Sequence, residues 1–327
     1  MKILAGDVGG TKTLLAILEK DSGGWKILFE ARLASREIRE FPEACARFVA
    51  SAGHSIERAS FGVPGPVTGN RAQGTNLRWA VDGSEIASGL GLASALVIND
   101  FAAQALGILE AGPADFASLN PDAGPADPRA PAAVLGAGTG LGEAVIVPAE
   151  GRAFILSTEG GHADFAPRTE TEIALLRFLV ARHGRVSVER VLSGAGIAVV
   201  YEFLRDSGAE RESPALKGAL ADAPDPAAEI SRAAIDAGDR LAIAALDLFV
   251  SVYGAEAGNM ALRVLARGGV YVTGGIAAKI LPRLRGGGFL AAFVAKGRLS
   301  ELLRTLPVHV VLNPRVGLLG AAAEGLR

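Results

Sequence analysis

Two glycine-rich turns constrain this chain more than anything else in it: GDVGGTKT at residues 6–13 and GAGTGLG at residues 136–142. Each interrupts apolar, strand-like sequence, residues 2–5 and 13–18 around the first and residues 133–135 and 143–147 around the second. A turn of this kind brings backbone N–H groups close to a ligand with no Cβ in the way, which suits phosphate oxygens. Taken singly, each reads first as an ordinary tight hairpin, where glycine is common. Two of them, with Asp7 in one and Thr139 in the other, point to phosphate and metal, and to one nucleotide held between two related halves.

Neither turn fits the commoner nucleotide motifs. A Walker A loop needs glycine directly before Lys-Ser/Thr and a helix directly after. Here Thr11 takes the glycine position, and residues 13–18 (TLLAIL) read as a second strand. In the second turn the glycines are spaced GxGxGxG and Val145, Ile146 and Val147 continue as strand where a dinucleotide fold would start a helix.

At 327 residues, 50% of them hydrophobic, the chain has material for roughly two domains with separate cores. A net charge of −2, with Lys and Arg scattered, gives no basic stripe for nucleic acid, so no such partner is expected. No apolar signal segment follows Met1-Lys2, and the cytoplasm is the expected location. Mean hydropathy is +0.32, but the longest apolar candidate, residues 241–250, contains Asp247 and is too short to span a bilayer. Cys45 is the only cysteine, so one chain makes no disulfide or cysteine zinc cluster, and it reads as a packed side chain.

Hydrophobic patterning predicts strands over residues 3–5, 13–18, 26–31 and 59–63, with a helix over about 42–51. Residues 95–98 (ALVI) are a short apolar run ending in Asn99-Asp100, after which residues 101–109 take helical spacing. Strand, polar tip, helix is how open α/β sheets present site residues. Five prolines between residues 111 and 131 mark a hinge or surface crossing. A helix is predicted over about 170–183, a loop over 213–226, a long helical stretch over 227–266, a strand at 270–273 before Gly274-Gly275, a strand at 308–312 and a helix at 317–326. The hairpin sheet followed by helices is itself the unit that repeats.

GDVGGTKT, TNLRW (75–79), LVINDFAAQALGI (96–108), GAGTGLG, STEGGHADFAP (157–167), SVERVLSGAG (187–196), VYVTGGI (270–276) and GLLGAA (317–322) together resemble the bacterial ATP-dependent glucokinases of the type lacking a zinc motif. The resemblance implies an α/β, two-lobed actin-like (RNase H-like) ATPase fold with a central cleft. It divides the chain into a small domain of residues 1–110 completed by a helix at 316–327, and a large domain of residues 111–315. It implies phosphorylation of glucose at O6 by MgATP in the cytoplasm, by a homodimer. The cysteine-rich repressor and kinase branch is disfavoured by the single cysteine. Two alternatives stay open: a kinase for mannose or an N-acetyl amino sugar, and a sugar- and ATP-binding regulator without turnover.

Phosphorylating a hydroxyl calls for a carboxylate that orients the O–H and takes its proton. Asp100 is the candidate, and as a residue opening a helix it also reads as an N-cap. Asn99 beside it can donate to and accept from a sugar hydroxyl, or serve as a turn residue. By resemblance, Glu159, His162 and Glu189 contact the sugar, with Asn76 a weaker candidate. Asp7, among phosphates, makes sense with an intervening cation and is assigned to Mg²⁺ through water. Gly9, Gly10, Thr11 and Lys12 would meet the phosphates from one side and Gly138, Thr139 and Gly140 from the other. Gly274 and Gly275 would leave space for the adenosine. Arg78 and Ala137 stand where the family pattern has proline, which bears on sugar affinity and selectivity rather than on the reacting groups.

Overall fold

The computed structural model describes residues 1–74 and 77–327, so Asn76 lies outside the described residues. The chain divides into two compact units: Met1–Asp115 with Ile155–Ser157 and Asn313–Arg327, and Phe116–Phe154 with Thr158–Leu312.

The first unit opens with the strands β1 (Lys2–Val8), β2 (Lys12–Asp21) and β3 (Gly24–Ala34), then α1 (Phe41–Ala52) and β4 (Arg58–Val63). A small three-stranded sheet follows, of β5 (Val67–Thr68), β6 (Arg71–Ala72) and β7 (Val81–Asp82), before α2 (Gly83–Leu90), β8 (Ala95–Asn99) and α3 (Asp100–Glu110). The main sheet runs β3-β2-β1-β4-β8. β1 pairs antiparallel with β2 and parallel with β4, which pairs parallel with β8.

Residues alternate across a strand, and this sheet is covered on both faces. Leu4, Val8, Leu15, Ile17 and Phe61 pack with Phe41 and Phe48 of α1. On the other face Ile3, Ala5, Ala16 and Leu18 meet Ala103 of α3 and several residues of the chain's last helix.

The second unit begins with β9 (Phe116–Ser118), β10 (Ala132–Ala137), β11 (Leu141–Ala149) and β12 (Arg152–Thr158). Then come α4 (Glu170–His183), α5 (Gly194–Asp206), α6 (Pro214–Ala221), α7 (Pro226–Ile235) and α8 (Arg240–Val264). The chain continues through β13 (Val270–Thr273), α9 (Gly274–Ala277), α10 (Leu281–Leu284), α11 (Gly288–Val294), α12 (Ser300–Arg304) and β14 (Val308–Val311). It ends on α13 (Val316–Gly325), in the first unit. The second sheet runs β12-β11-β10-β13-β14-β9. Its antiparallel hairpin beside two parallel strands repeats the order of the first sheet, and only β9, antiparallel to β14, is extra.

Three expectations change. The segment 213–226 holds a helix, α6, entered by Ser213, whose hydroxyl accepts from Leu216 N, with Pro214 in the first turn. This is a favoured helix start that reads as loop by composition alone. The long helical stretch is two helices, broken where Gly238 takes a φ of 68° and Asp239 caps α8 through Ala242 N. The apolar run at 241–250 is only the start of α8, whose 25 residues are long and apolar enough to cross a membrane by length and composition. Here α8 is the core helix of its unit: 72% of its most apolar stretch is buried, with Leu246, Phe249 and Tyr253 fully so. Gly254 and Gly258 let α11 lie directly against it, since a Cβ at Gly254 would collide with Phe289 O.

Candidate active site

In the first hairpin Gly9 N donates to Lys12 O at 2.9 Å, closing a turn in which a Cβ on Gly9 would lie 2.9 Å from that same oxygen. Ser35, just past β3, braces the turn. Its Oγ donates to Gly9 O (2.6 Å) and lies 3.0 Å from Thr13 Oγ1, and its N donates to Thr11 O (3.0 Å). Trp79 Nε1 donates to Ser35 O at 3.3 Å while its ring stacks on Phe41 at 4.8 Å. The TNLRW segment thus reaches the hairpin through its tryptophan, and Arg78 stays exposed. Nothing in local sequence marks Ser35; its role follows from β3 lying alongside β2.

Asp7 is the last residue but one of β1 and Asp100 follows β8, so both carboxylates sit at the C-terminal ends of strands that run the same way in one sheet. The helix cap is Asn99, one residue earlier than expected: its Oδ1 accepts from Phe101 N (2.9 Å) and Ala102 N (3.1 Å), and its Nδ2 donates to Gly65 O (3.2 Å). Asp100 is therefore the first helical residue, half-buried, with Phe101 N donating to its Oδ1 at 2.9 Å. Burial and, next, the charge of Asp100 push the Asp7 carboxyl up to about 6. Among the described residues no group of three or more His, Cys, Asp or Glu is placed to hold a metal ion.

The second hairpin is held from three sides. Gly138 N donates to Gly140 O (2.8 Å), Gly194 N at the head of α5 donates to Gly138 O (2.8 Å), and Ala137 N donates to Tyr253 Oη of the core helix (2.9 Å). Gly274, with φ 87°, crosses Ala137 so closely that a Cβ would lie 2.5 Å from its oxygen. Beside this turn lies a cavity of about 680 Å³ lined by Gly138, Thr139, Gly194, Gly275, Ile276 and Lys279 among others. Its size is that of a small-molecule site. Cβ atoms on Gly138 or Gly275 would meet no protein atom, so these glycines leave the cavity open.

Glu189 joins what the sequence separates. It lies in the single 3₁₀ turn Val188–Arg190, and its Oε2 accepts from Leu141 N at 2.9 Å, so close under Gly140 that any side chain there would collide with it. Its Oε1 is 3.9 Å from His162 Nδ1. The loop carrying Glu159 and His162 is zipped to the segment before Glu189 by Phe165 N to Val186 O (3.0 Å) and Val188 N to Ala163 O (2.9 Å). Arg185 fastens it further, donating to His162 O (2.6 Å) and Asp164 Oδ1 (2.9 Å). Glu159, exposed, and His162 thus lie on a loop held against the segment of Glu189, which in turn meets the hairpin at Leu141 N. Arg185 reads as an ordinary surface charge in sequence, and only the pairing of two distant loops reveals its use.

Two repeated sheets, each opening on a glycine hairpin and one carrying paired carboxylates at its strand ends, define the two-lobed actin-like ATPase class. The family model described as Glucokinase matches residues 4–326. A glucokinase of Synechocystis sp. is 44% identical over 347 residues, covering 98% of this chain and 97% of the relative. Among solved structures, a glucokinase from an Antarctic psychrotroph superposes with a TM-score of 0.85 at 31% identity, covering 99% of this chain and 98% of that one. A ROK family glucokinase from Streptomyces griseus, solved with glucose and AMPPNP, shares the fold at TM-score 0.68 and 21% identity, covering 100% and 99%. The chain belongs to the glucokinase family, and is an ATP-dependent hexose kinase.

Proposed function

We propose that this chain transfers the γ-phosphoryl group of MgATP to O6 of glucose, with Asp100 taking the hydroxyl proton. The reading is carried by one observation: Asp7 and Asp100 share a sheet end, where the charge of Asp100 adds to the cost of ionising Asp7. Family membership across nearly the whole chain supports the same reaction. Asp100 would be ionised at the helix start and orient O6 for in-line attack. Asp7 would hold Mg²⁺ through water; when bound, the ion neutralises charge developing on the phosphates. Gly9, Gly10, Thr11 and Lys12 of one hairpin, and Gly138, Thr139 and Gly140 of the other, are the proposed phosphate contacts. The cavity beside Gly275 has the size for adenosine.

Glu159, His162 and Glu189 would bind sugar hydroxyls. Asn99 has its oxygen committed to the cap, so it would offer the sugar only its amide N–H. By resemblance to the bacterial enzymes, the protein would work in the cytoplasm as a homodimer.

Purified protein, MgATP and a panel of glucose, mannose, fructose and N-acetylglucosamine, read through the sugar phosphate formed and a no-sugar control, test the reaction. Glucose should give product far above the other sugars. Product from none of them, with glucose still raising the melting temperature, would reverse the assignment in favour of a binding protein.

Replacing Glu189 by alanine should raise the glucose KM about 10–100-fold, the worth of a hydrogen bond to a charged group. Because Glu189 also anchors Leu141 N, the KM for ATP should rise with it. An effect on glucose alone would separate Glu189 from the hairpin.

A further inference from the structure

Glu143 belongs to none of the roles above, yet it lies under the loop that carries Glu159 and His162. It is the third residue of β11, opposite Leu135 of β10, and only 2% of its surface is exposed. Oε1 is buried without a hydrogen-bond partner, and a Cβ on Gly160 would collide with Oε2. The loop rests on the same residue through Thr158, whose hydroxyl donates to Glu143 O (3.3 Å) and accepts from Gly160 N (3.1 Å). Gly161 is pressed as tightly onto Leu141 O, so the loop has no slack over β11.

The groups facing Glu143 leave it uncompensated. From α8, Glu256 adds negative charge; its two oxygens are taken by Arg263 Nη1 (2.9 Å) and Asn259 Nδ2 (2.9 Å). Arg263 offsets part of that charge from its place on Glu256, and Tyr253, also on α8, has its hydroxyl engaged at Ala137. The loop that rests on Glu143 carries Thr158 and the exposed Glu159 and His162. A buried carboxylate with an orphaned oxygen is costly, whereas the neutral acid is far less so.

We propose that Glu143 is a positioning residue for the sugar. With its proton on, the carboxyl fits the dry space under Gly160 and holds the loop in its sugar-binding conformation; with its proton off, it draws in water and lifts the loop. Burial, and then Glu256, push the Glu143 carboxyl up to about 7 against the pull of Arg263, so both states are populated near neutrality. Glucose therefore binds the protonated form, takes up a proton as it does so, and binds more weakly as pH rises. If only that form is competent, affinity falls at most roughly tenfold between about pH 6 and about pH 8.

The proposal rests on the reading that residues 159–162 contact the sugar, and the two are tested separately. Calorimetry of glucose binding near neutral pH, in buffers of different ionisation enthalpy, measures protons taken up by the unaltered protein. Uptake that disappears in Glu143→Gln, with a glucose KM that no longer rises with pH and stays at its acid-side value, is the expected result. No uptake by the unaltered protein, or a Glu143→Gln profile with the original slope, overturns it. Glu159→Gln serves the other question: unchanged glucose affinity there removes the loop from the sugar site.

Discussion

Asp100→Asn is expected to lower kcat by about 10²–10⁴-fold, the range for loss of a positioned general base. Glucose affinity should change little, because the amide keeps the shape of the carboxyl and can still accept a hydrogen bond. The helix should survive as well: its cap is Asn99, not Asp100, so the substitution leaves the bonds to Phe101 and Ala102 N in place. That separation makes the variant informative. Steady-state kinetics with saturating glucose and MgATP, beside direct glucose binding, measure the two effects. Turnover within a few-fold of the unaltered enzyme would remove Asp100 from the role of base.

Asp7→Asn should cut turnover by about 10²-fold or more, by taking charge from the Mg²⁺ site, while making the ligand-free protein more stable above about pH 6. The sign follows from the raised carboxyl. Its pKa in the folded state is about 6 against 3.8 for the free side chain, so the folded protein binds more protons than the unfolded one between those values. Stability therefore falls as pH rises through that window, and above it the ionised Asp7 costs about 2–3 kcal/mol. Asparagine carries no such penalty. Melting of the ligand-free variant should shift upward by a few degrees at about pH 8 and not at about pH 4. Mg²⁺ with nucleotide should stabilise the unaltered protein more than the variant. Equal melting temperatures at both pH values would mean that Asp7 is not charged at a cost.

The hairpins were legible because their glycines perform local work: closing a turn at Gly9, clearing space for Glu189 at Gly140, crossing Ala137 at Gly274. Strand, tip and helix at residues 95–110 were legible for a related reason, since a continuous apolar run changes to helical spacing at one polar pair. Which member of that pair caps the helix was not, because Asn and Asp serve equally well and backbone angles decide. The loop at 213–226 concealed α6, and α2 with β12 left no firm pattern; the exposed face of β12 carries Phe154 and Leu156, so apolar alternation gives no signal there. The supports of the site were the least visible. Ser35, Arg185 and Glu143 act on residues 26, 23 and 17 positions away in the chain, and each is an unremarkable residue in its own neighbourhood.

Gly107 of α3 and Gly320 of α13 give the chain a particular order of events. A Cβ on Gly107 would collide with Val316 O, and one on Gly320 with Ala103 O, so the helix that begins at Asp100 is seated against the ten residues of α13. A ribosome has released nearly all of the second unit before that partner emerges. The sheet of the first unit therefore waits with Ile3, Ala5, Ala16 and Leu18 uncovered on the face α13 will close. The α13 segment must be made before Asp100, the proposed base, has a firm footing, so products truncated ahead of Val316 would expose an apolar sheet face and invite chaperones or proteases rather than act as partial kinases.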